Sequence, residues 1–184
     1  MIVLSAGHYP KATGAQSSFY NLKEHYICRE IVAQIKKMTD DEGFDVHVLT
    51  SAPLKHKIKE ANELSNVELA IEVHLNADAE TKDTNPAQGS GYSVYLFPNE
   101  HDLADIYANL YLEQCKRYLP FKSFGSGLFF EKLYFLRKTI GMPAVLTESL
   151  FIDNISDGWY LTYPKGIHFL AKIHFFALKK LLGS

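Results

Sequence analysis

The 184-residue sequence predicts a single α/β domain built on a mainly parallel β-sheet. Short apolar or β-branched runs alternate along the chain with longer segments of helical period, which is typical of this fold class. With 47% hydrophobic residues, the chain can bury one substantial core, and its length does not require a second domain. We therefore interpret residues 1–184 as one domain, without an internal repeat or a linker to a further module.

The individual elements follow from these periods. Strands are predicted over residues 2–5, 45–49, 69–74, 92–97 and 144–147, and helices over residues 21–38, 55–64, 102–118 and 165–182. In the first helix, Ile27, Ile31 and Ile35 lie on one apolar stripe, which indicates packing on a sheet. The turn-forming composition of residues 81–91 and 120–127 predicts exposed loops in both segments.

The charge distribution argues against nucleic-acid binding. Charged residues make up 22% of the chain, and the formal net charge is -2, so no overall positive field attracts a polyanion. The scattered lysines at Lys36, Lys37, Lys55, Lys57 and Lys59 are interpreted as parts of solvated helix faces. We expect no nucleic-acid partner.

Two cysteines, Cys28 and Cys115, lie far apart in predicted helices and are interpreted as packing residues rather than as a disulfide or a zinc site. The N-terminus has no basic leader and no small-residue cleavage site, so we expect no signal peptide. Charges interrupt every apolar stretch before the ~20 residues that a membrane span needs. We expect synthesis in the cytoplasm and no membrane association.

Three polar side chains follow predicted strands at their ends: His8, His74 and Glu148. Functional groups of open α/β sheets gather at the carboxyl ends of the strands, so these residues are expected to converge in one cleft. Glu24 opens the helix after the His8 loop and can point back to the same edge. These four residues are the candidate site.

Two imidazoles and one carboxylate form a hydrolytic zinc site that leaves a position open for water. Zinc suits such ligands better than calcium or magnesium, which prefer oxygen. The metal lowers the pKa of water toward ~7 and polarises a carbonyl. We therefore assign His8, Glu24 and His74 to one Zn²⁺ ion, and Glu148 to the transfer of the proton from water to the leaving nitrogen.

Each signal is weak by itself, because a lone histidine at a strand end is more often structural. The chain has no H-E-x-x-H pair, G-x-S-x-G elbow or phosphate-binding glycine loop that would account for these residues otherwise. Among the remaining histidines, His25, His47, His168 and His174 are not expected to bind zinc. Glu30 could replace Glu24, but it falls in the middle of the helix.

Four segments, residues 3–8, 22–24, 72–77 and 143–154, resemble the zinc-dependent N-acetylmuramoyl-L-alanine amidases of the Amidase_3 type, which occur in bacterial wall-remodelling enzymes and phage endolysins. The resemblance spans most of the chain. It implies zinc binding by His8, Glu24 and His74, and a catalytic role for Glu148. It also implies a six-stranded twisted sheet flanked by helices, and cleavage between N-acetylmuramic acid and L-alanine in peptidoglycan.

The sequence departs from the family at two places. Tyr9 and Pro10 replace two glycines of the usual Gly-His-Gly-Gly opening, which would stiffen the loop and place a ring near the metal. Glu72 stands where the family often has serine, on the same strand face as His74. Glu72 could orient a ligand or reach solvent, and both interpretations remain open.

Further candidates are less specific. Asn76, within the family's His-x-Asn-Ala segment, is a possible substrate or supporting residue. Arg137 could hold a peptide carboxylate or steady a tetrahedral intermediate, with a surface salt bridge as the alternative. The aromatic cluster of the third quarter is interpreted as core rather than sugar platform. Its members are Phe129, Phe130, Tyr134 and Phe135.

Two other functions remain: a zinc peptidase or carboxypeptidase acting on wall stem peptides, and a non-catalytic amidase-like binding module. The second is disfavoured because no ligand or catalytic residue is replaced. We expect a monomer without a separate wall-binding domain that acts at the cell wall. Release through a holin, lysis of a mother cell and excision from a longer exported protein are all compatible with the sequence.

Overall fold

The computed structural model describes residues 1–78, 88–98 and 103–183. In chain order its elements are β1 (Ile2–Ala6), β2 (Gln16–Ser17), β3 (Leu22–Lys23), α1 (Glu24–Asp41), β4 (Val46–Val48), α2 (Leu54–Glu63), β5 (Leu69–Asn76), β6 (Tyr92–Leu96), α3 (Leu103–Tyr118), β7 (Ser123–Phe130), α4 (Tyr134–Lys138), β8 (Ala144–Phe151), α5 (Ile155–Leu161) and α6 (Pro164–Leu182).

Six strands form the central sheet in the order β4-β1-β5-β8-β6-β7, and β2 pairs with β3 in a separate small hairpin. Strand β1 is parallel to β4 and β5, β5 is parallel to β8, and β6 is parallel to β7. Strand β6 is antiparallel to β8, the one antiparallel pairing of this sheet among the residues that the structure describes. The prediction of a mainly parallel sheet of about six strands is confirmed.

Alternation along the strands divides the core into two halves. Ile2 and Leu4 of β1 pack with residues of α1, α3 and α6 on one face. Val3, between them, packs with residues of α2 and α4 on the opposite face. Helices therefore cover both faces, as predicted.

The same alternation determines where the polar residues point. Ala70 in β5 and Ala144 and Leu146 in β8 belong to the α2/α4 face. Glu72 and His74 share the face of Ala70, and Glu148 shares the face of Leu146. The candidate site therefore lies on the α2/α4 face, toward the carboxyl ends of β5 and β8.

Several local predictions need correction. Residues 123–130 form strand β7 where a loop was expected over residues 120–127. In the sequence, Gly125 and Gly127 suggested a turn. In the structure both have positive φ, and a shift in the β6–β7 register accommodates them within the strand. The first helix begins at Glu24, because Leu22 and Lys23 pair with the preceding strand. Of the predicted loop 81–91, residues 81–87 lie outside the described residues, as does position 102 at the predicted helix start.

The interpretation of the aromatic cluster as core is correct for Phe135, which is buried, and wrong for Phe130 and Tyr134, which are 50% and 40% exposed. Phe129 stacks on Tyr95 with ring centres 5.2 Å apart. Phe130 is exposed at the end of the edge strand β7, and Tyr134, at the start of α4, lines the cleft of the candidate site. No helix within the described ranges is both long and apolar enough to cross a membrane.

Candidate active site

Glu24 lies between two histidines. Its Oε2 is 3.0 Å from Nε2 of His8, and its Oε1 is 2.8 Å from Nδ1 of His74. One donor atom from each residue can be chosen so that all three lie within 4.8 Å of one another. The structure thus brings together the three predicted ligands in a group that could hold a metal ion.

The position of Glu24 follows from the loop before α1. The backbone N–H groups of Glu24 and His25, at the helix start, donate to the carbonyls of Ala15 and Thr13. In return, Oε2 of Glu24 accepts from the N–H of Ala15 at 2.8 Å, and Oε1 accepts from the N–H of Leu75 at 3.2 Å. Both carboxylate oxygens are therefore held in place by backbone donors.

Electrostatics keeps Glu24 ionised. Burial raises the pKa of this carboxyl, but hydrogen bonds and charge interactions with His74 and His8 outweigh burial and lower it to about 2. The pKa of His74 is raised well above its usual value. Burial lowers it, but the carboxylates of Glu24 and Glu72 have the larger combined effect.

His8 follows β1 in a left-handed backbone conformation, with φ of 58°. A side chain in this conformation costs about 1–2 kcal/mol, and such strain is common at functional sites. The turn is closed by reciprocal hydrogen bonds between the backbones of Tyr9 and Ala12. Gly7, the residue before His8, is held in place by His25. Nδ1 of His25 lies 2.8 Å from the carbonyl oxygen of Gly7, and Nε2 of His25 lies 2.9 Å from Oγ of Ser51.

Two glycines pack directly against the cluster. A Cβ atom at Gly7 would lie 2.6 Å from Nδ1 of His74. A Cβ at Gly14, which has φ of +74°, would overlap Oε2 of Glu24 and the ring of His8. Gly14 was not predicted as a site residue, since no local pattern distinguishes it from an ordinary loop glycine.

Glu148 lies beside the cluster without joining it. Its β8 position pairs with His74 in β5, and its side chain lines the same cleft. Its Oε2 is buried and has no hydrogen-bond partner among the described residues. Burial raises the pKa of Glu148 to about 8, with the charge of His74 lowering it and the charges of Glu24 and Glu72 raising it. This carboxyl can therefore exchange a proton near neutral pH.

Glu72 is buried and contacts His74 rather than solvent. Its Oε2 lies 3.2 Å from Nε2 of His74, and its Oε1 accepts from Nζ of Lys57 at 2.8 Å. Lys57 is only 1% exposed, so its interpretation as part of a solvated helix face was wrong. A signal was present in the sequence: Leu54, Lys57, Ile58 and Ala61 have the i, i+3, i+4, i+7 spacing of a buried stripe.

A cleft of about 340 Å³ opens over these groups. Charged and polar side chains of His8, Glu72, His74, Lys57 and Glu148 line one part of it. The remaining wall is mostly apolar and is formed by Tyr9, Ala12, Leu54, Leu133, Tyr134, Phe135 and Leu146. The cleft thus combines a chemical centre with a surface that can cover part of a substrate.

Two of the lesser candidates lie outside this lining, as far as the described residues show. The β5–β8 register shifts between His74 and Asn76, and Asn76 lines a neighbouring depression with Phe151. Arg137 is exposed, and its guanidinium lies 5.7 Å from the ring centre of Tyr134. Arg137 therefore approaches the cleft only through that ring.

A possible His-Glu-His metal centre beside a separate buried carboxylate, at the edge of an α/β sheet, is the arrangement expected of a metal-dependent hydrolase. The chain belongs to the N-acetylmuramoyl-L-alanine amidase family Amidase_3, which it matches over residues 2–180.

Two relatives illustrate the relationship. The N-acetylmuramoyl-L-alanine amidase CwlM of Bacillus licheniformis is 25% identical over 179 residues, covering 94% of this chain and 65% of CwlM. The endolysin of Bacillus phage SPP1 is 27% identical over 192 residues, covering 100% of this chain and 66% of the endolysin. The chain therefore spans just under two thirds of the length of these relatives.

Among solved structures, the catalytic domain of CwlV, an N-acetylmuramoyl-L-alanine amidase of Paenibacillus polymyxa, superposes with a TM-score of 0.84. The sequences are 18% identical, and the match covers 99% of this chain and 97% of the CwlV domain. This likeness shows a common fold.

Proposed function

We propose that this chain hydrolyses the amide bond between N-acetylmuramic acid and L-alanine in peptidoglycan, with one zinc ion bound by His8, Glu24 and His74. The observation that carries the proposal is the contact of Glu24 with both histidines, next to Oε2 of Glu148, which has no hydrogen-bond partner in the described part of the chain. Membership of the amidase family supports the same reaction.

The donor set suits zinc. Two imidazole nitrogens and one carboxylate oxygen match a common zinc ligand set, whereas calcium and magnesium favour oxygen donors. One donor atom from each of His8, Glu24 and His74 lies within 4.8 Å of the other two, so these three residues would hold the ion. Bound zinc would acidify water and polarise the scissile carbonyl.

Glu148 has the role of the proton carrier. A water molecule in the cleft transfers a proton to the Glu148 carboxylate as its oxygen attacks the carbonyl carbon of the amide. Glu148 then donates this proton to the amide nitrogen, the C–N bond breaks, and L-alanine leaves with a free amino group. Since the pKa of Glu148 is near 8, the group can perform both transfers around neutral pH.

The apolar part of the cleft would cover the small side chains of a wall peptide. Leu54, Leu133 and Tyr134 line this part, close to the polar centre. We propose that the muramoyl–peptide junction binds here, that the chain acts at the cell wall as a monomer, and that residues 1–184 contain no separate wall-binding domain.

The test is digestion of purified peptidoglycan followed by mass spectrometry of the released fragments. Wild-type protein, chelator-treated protein, zinc-restored protein and the variant Glu148→Ala are compared, with Glu30→Ala as an exposed control on α1. The proposal expects free stem peptides beginning with L-alanine, lost with chelator, regained with zinc and absent with Glu148→Ala. Shortened stems still attached to muramic acid would identify a peptidase, and no release by any sample would favour a non-catalytic module.

A further inference from the structure

Lys57 and Glu72 form a buried ion pair beneath the candidate site, with side-chain exposures of 1% and 3%. The three donor hydrogens of the Lys57 ammonium have three acceptors. These are Oε1 of Glu72 at 2.8 Å, Oγ of Ser5 at 3.1 Å and the carbonyl oxygen of Ala6 at 2.7 Å. A buried ammonium is tolerated only with such full satisfaction. The ammonium of Lys57 is thus fully hydrogen-bonded to residues of the sheet.

This arrangement orients the Glu72 carboxylate. Its Oε1 accepts from Lys57 and also from Oγ of Ser5, at 3.0 Å. The other oxygen, Oε2, is turned toward Nε2 of His74 at 3.2 Å. Two donors on one oxygen leave the second oxygen directed at the imidazole.

The orientation of the Glu72 carboxylate matters because the two ring nitrogens of His74 face different groups. Its Nδ1 faces Glu24 in the possible metal group, and its Nε2 faces Glu72. A carboxylate only accepts hydrogen bonds, so Nε2 must carry a hydrogen. In this structure Nδ1 also faces a carboxylate oxygen, that of Glu24 at 2.8 Å, so both ring nitrogens carry hydrogen. Zinc would replace the hydrogen on Nδ1, and the imidazole would keep its Nε2 hydrogen toward Glu72. A carboxylate behind a ligating histidine raises metal affinity in this way.

We propose that Lys57 and Glu72 act together as positioning residues that hold His74 with Nε2–H toward Glu72 and Nδ1 toward the metal group, and thereby set the metal affinity. This inference rests on the proposed zinc site. Neither residue touches the substrate or the reacting atoms in this scheme. Lys57 acts through Glu72, and Glu72 acts through His74.

The experiment measures zinc affinity by competition with a chromophoric chelator, and the protonated nitrogen of His74 by ¹H–¹⁵N NMR of the zinc-loaded protein. The variants are Glu72→Gln, Lys57→Met and the double variant Lys57→Met/Glu72→Leu. The double variant removes both buried charges and so keeps the test valid if a single variant fails to fold. The matched control is Lys59→Met/Glu63→Gln, an exposed Lys-Glu pair on the same helix.

We expect the single variants and the double variant to weaken zinc binding by about 10- to 100-fold. The NMR signal of His74 Nε2–H should be present in the zinc-loaded wild type and altered in Glu72→Gln. The control should match the wild type in both measurements.

If the wild type binds zinc and the variants bind it equally well, with His74 unchanged, the positioning role is overturned and the proposed function stands. If the wild type binds no zinc at all, the proposed metal site is overturned together with this inference. The two failures are therefore distinguished by the wild-type titration alone.

Discussion

His74 and Glu148 lie directly opposite each other on the neighbouring parallel strands β5 and β8. Both side chains point to the sheet face that α2 and α4 cover, since partners in register share a face. One strand pairing therefore brings the proposed metal ligand and the proposed proton carrier together. A slip of one residue would turn the two side chains to opposite faces.

Replacing Glu148 by glutamine should separate chemistry from metal binding. Glutamine keeps the size of the side chain but cannot carry the proton, so kcat/KM for a soluble muropeptide should fall by about 100- to 10,000-fold. Zinc content should equal that of the wild type, because Glu148 lies outside the His8–Glu24–His74 group. Steady-state kinetics and metal analysis check both parts. Unimpaired turnover would exclude Glu148 as the proton carrier.

The substitution Glu24→Gln should abolish zinc retention. The amide has no negative charge, and one of its two terminal atoms can no longer accept a hydrogen bond or bind a cation. Metal analysis after dialysis against a weak chelator should find zinc in the wild type and in Glu30→Gln, whose side chain is exposed on the same helix. A Glu24→Gln protein that retains zinc as well as these two would show that Glu24 is not a ligand.

Gly14→Ala should lower the free energy of unfolding by more than an ordinary glycine-to-alanine substitution. Both Gly14 and Gly43 have a left-handed φ, +74° and +75°, so alanine at either position carries a backbone penalty of about 1–2 kcal/mol. At Gly14 the new Cβ would overlap Glu24 and His8, whereas at Gly43 no atom of the described residues lies within 4 Å of the new Cβ. Zinc affinity should therefore fall in Gly14→Ala alone.

Urea unfolding and zinc titration of the two glycine variants provide the comparison. Gly43→Ala measures the backbone penalty without a clash, and Gly14→Ala should be the less stable of the two. Equal stability and equal zinc affinity in the two variants would mean that the loop moves aside without disturbing the cluster.

Because His174 is buried, the free energy of unfolding should decrease at acid pH. Burial lowers the pKa of this histidine from 6.5 to about 3 in the folded protein, where its Nδ1 lies 2.7 Å from the hydroxyl of Tyr107. The unfolded chain binds a proton below pH 6.5 that the folded chain does not. The free energy of unfolding therefore falls as pH decreases through this range, by up to about 1.4 kcal/mol per pH unit.

The variant His174→Asn keeps an acceptor for Tyr107 but does not titrate. Chemical denaturation at several pH values from 6.5 to 4 should give a smaller loss of stability in the variant than in the wild type. Other groups titrate in both proteins, so the difference between the two curves reports His174. Parallel curves would contradict the pKa shift.

The α/β class and the strand positions could be predicted because hydrophobic periodicity is local. Alternation in residues 69–74 indicates which side chains share a face, whatever the strand pairs with. The four candidate site residues were found for the same reason: His8, His74 and Glu148 follow or end apolar runs, and Glu24 starts a helix. In the structure His8, His74 and Glu148 line one cleft and Glu24 contacts both histidines, and the chemical roles of the four residues are the proposals tested above.

Strand β7 and the burial of Lys57 depend on contacts between residues distant in the sequence. β7 has a glycine-rich composition, and it is a strand because β6 supplies its hydrogen bonds. Lys57 of helix α2 is buried because Glu72 in β5 and Ser5 and Ala6 in β1 provide acceptors for its ammonium. Local periodicity indicates which way a side chain points, but the free energy of burying a charge depends on its partners, and only the folded chain brings those partners together.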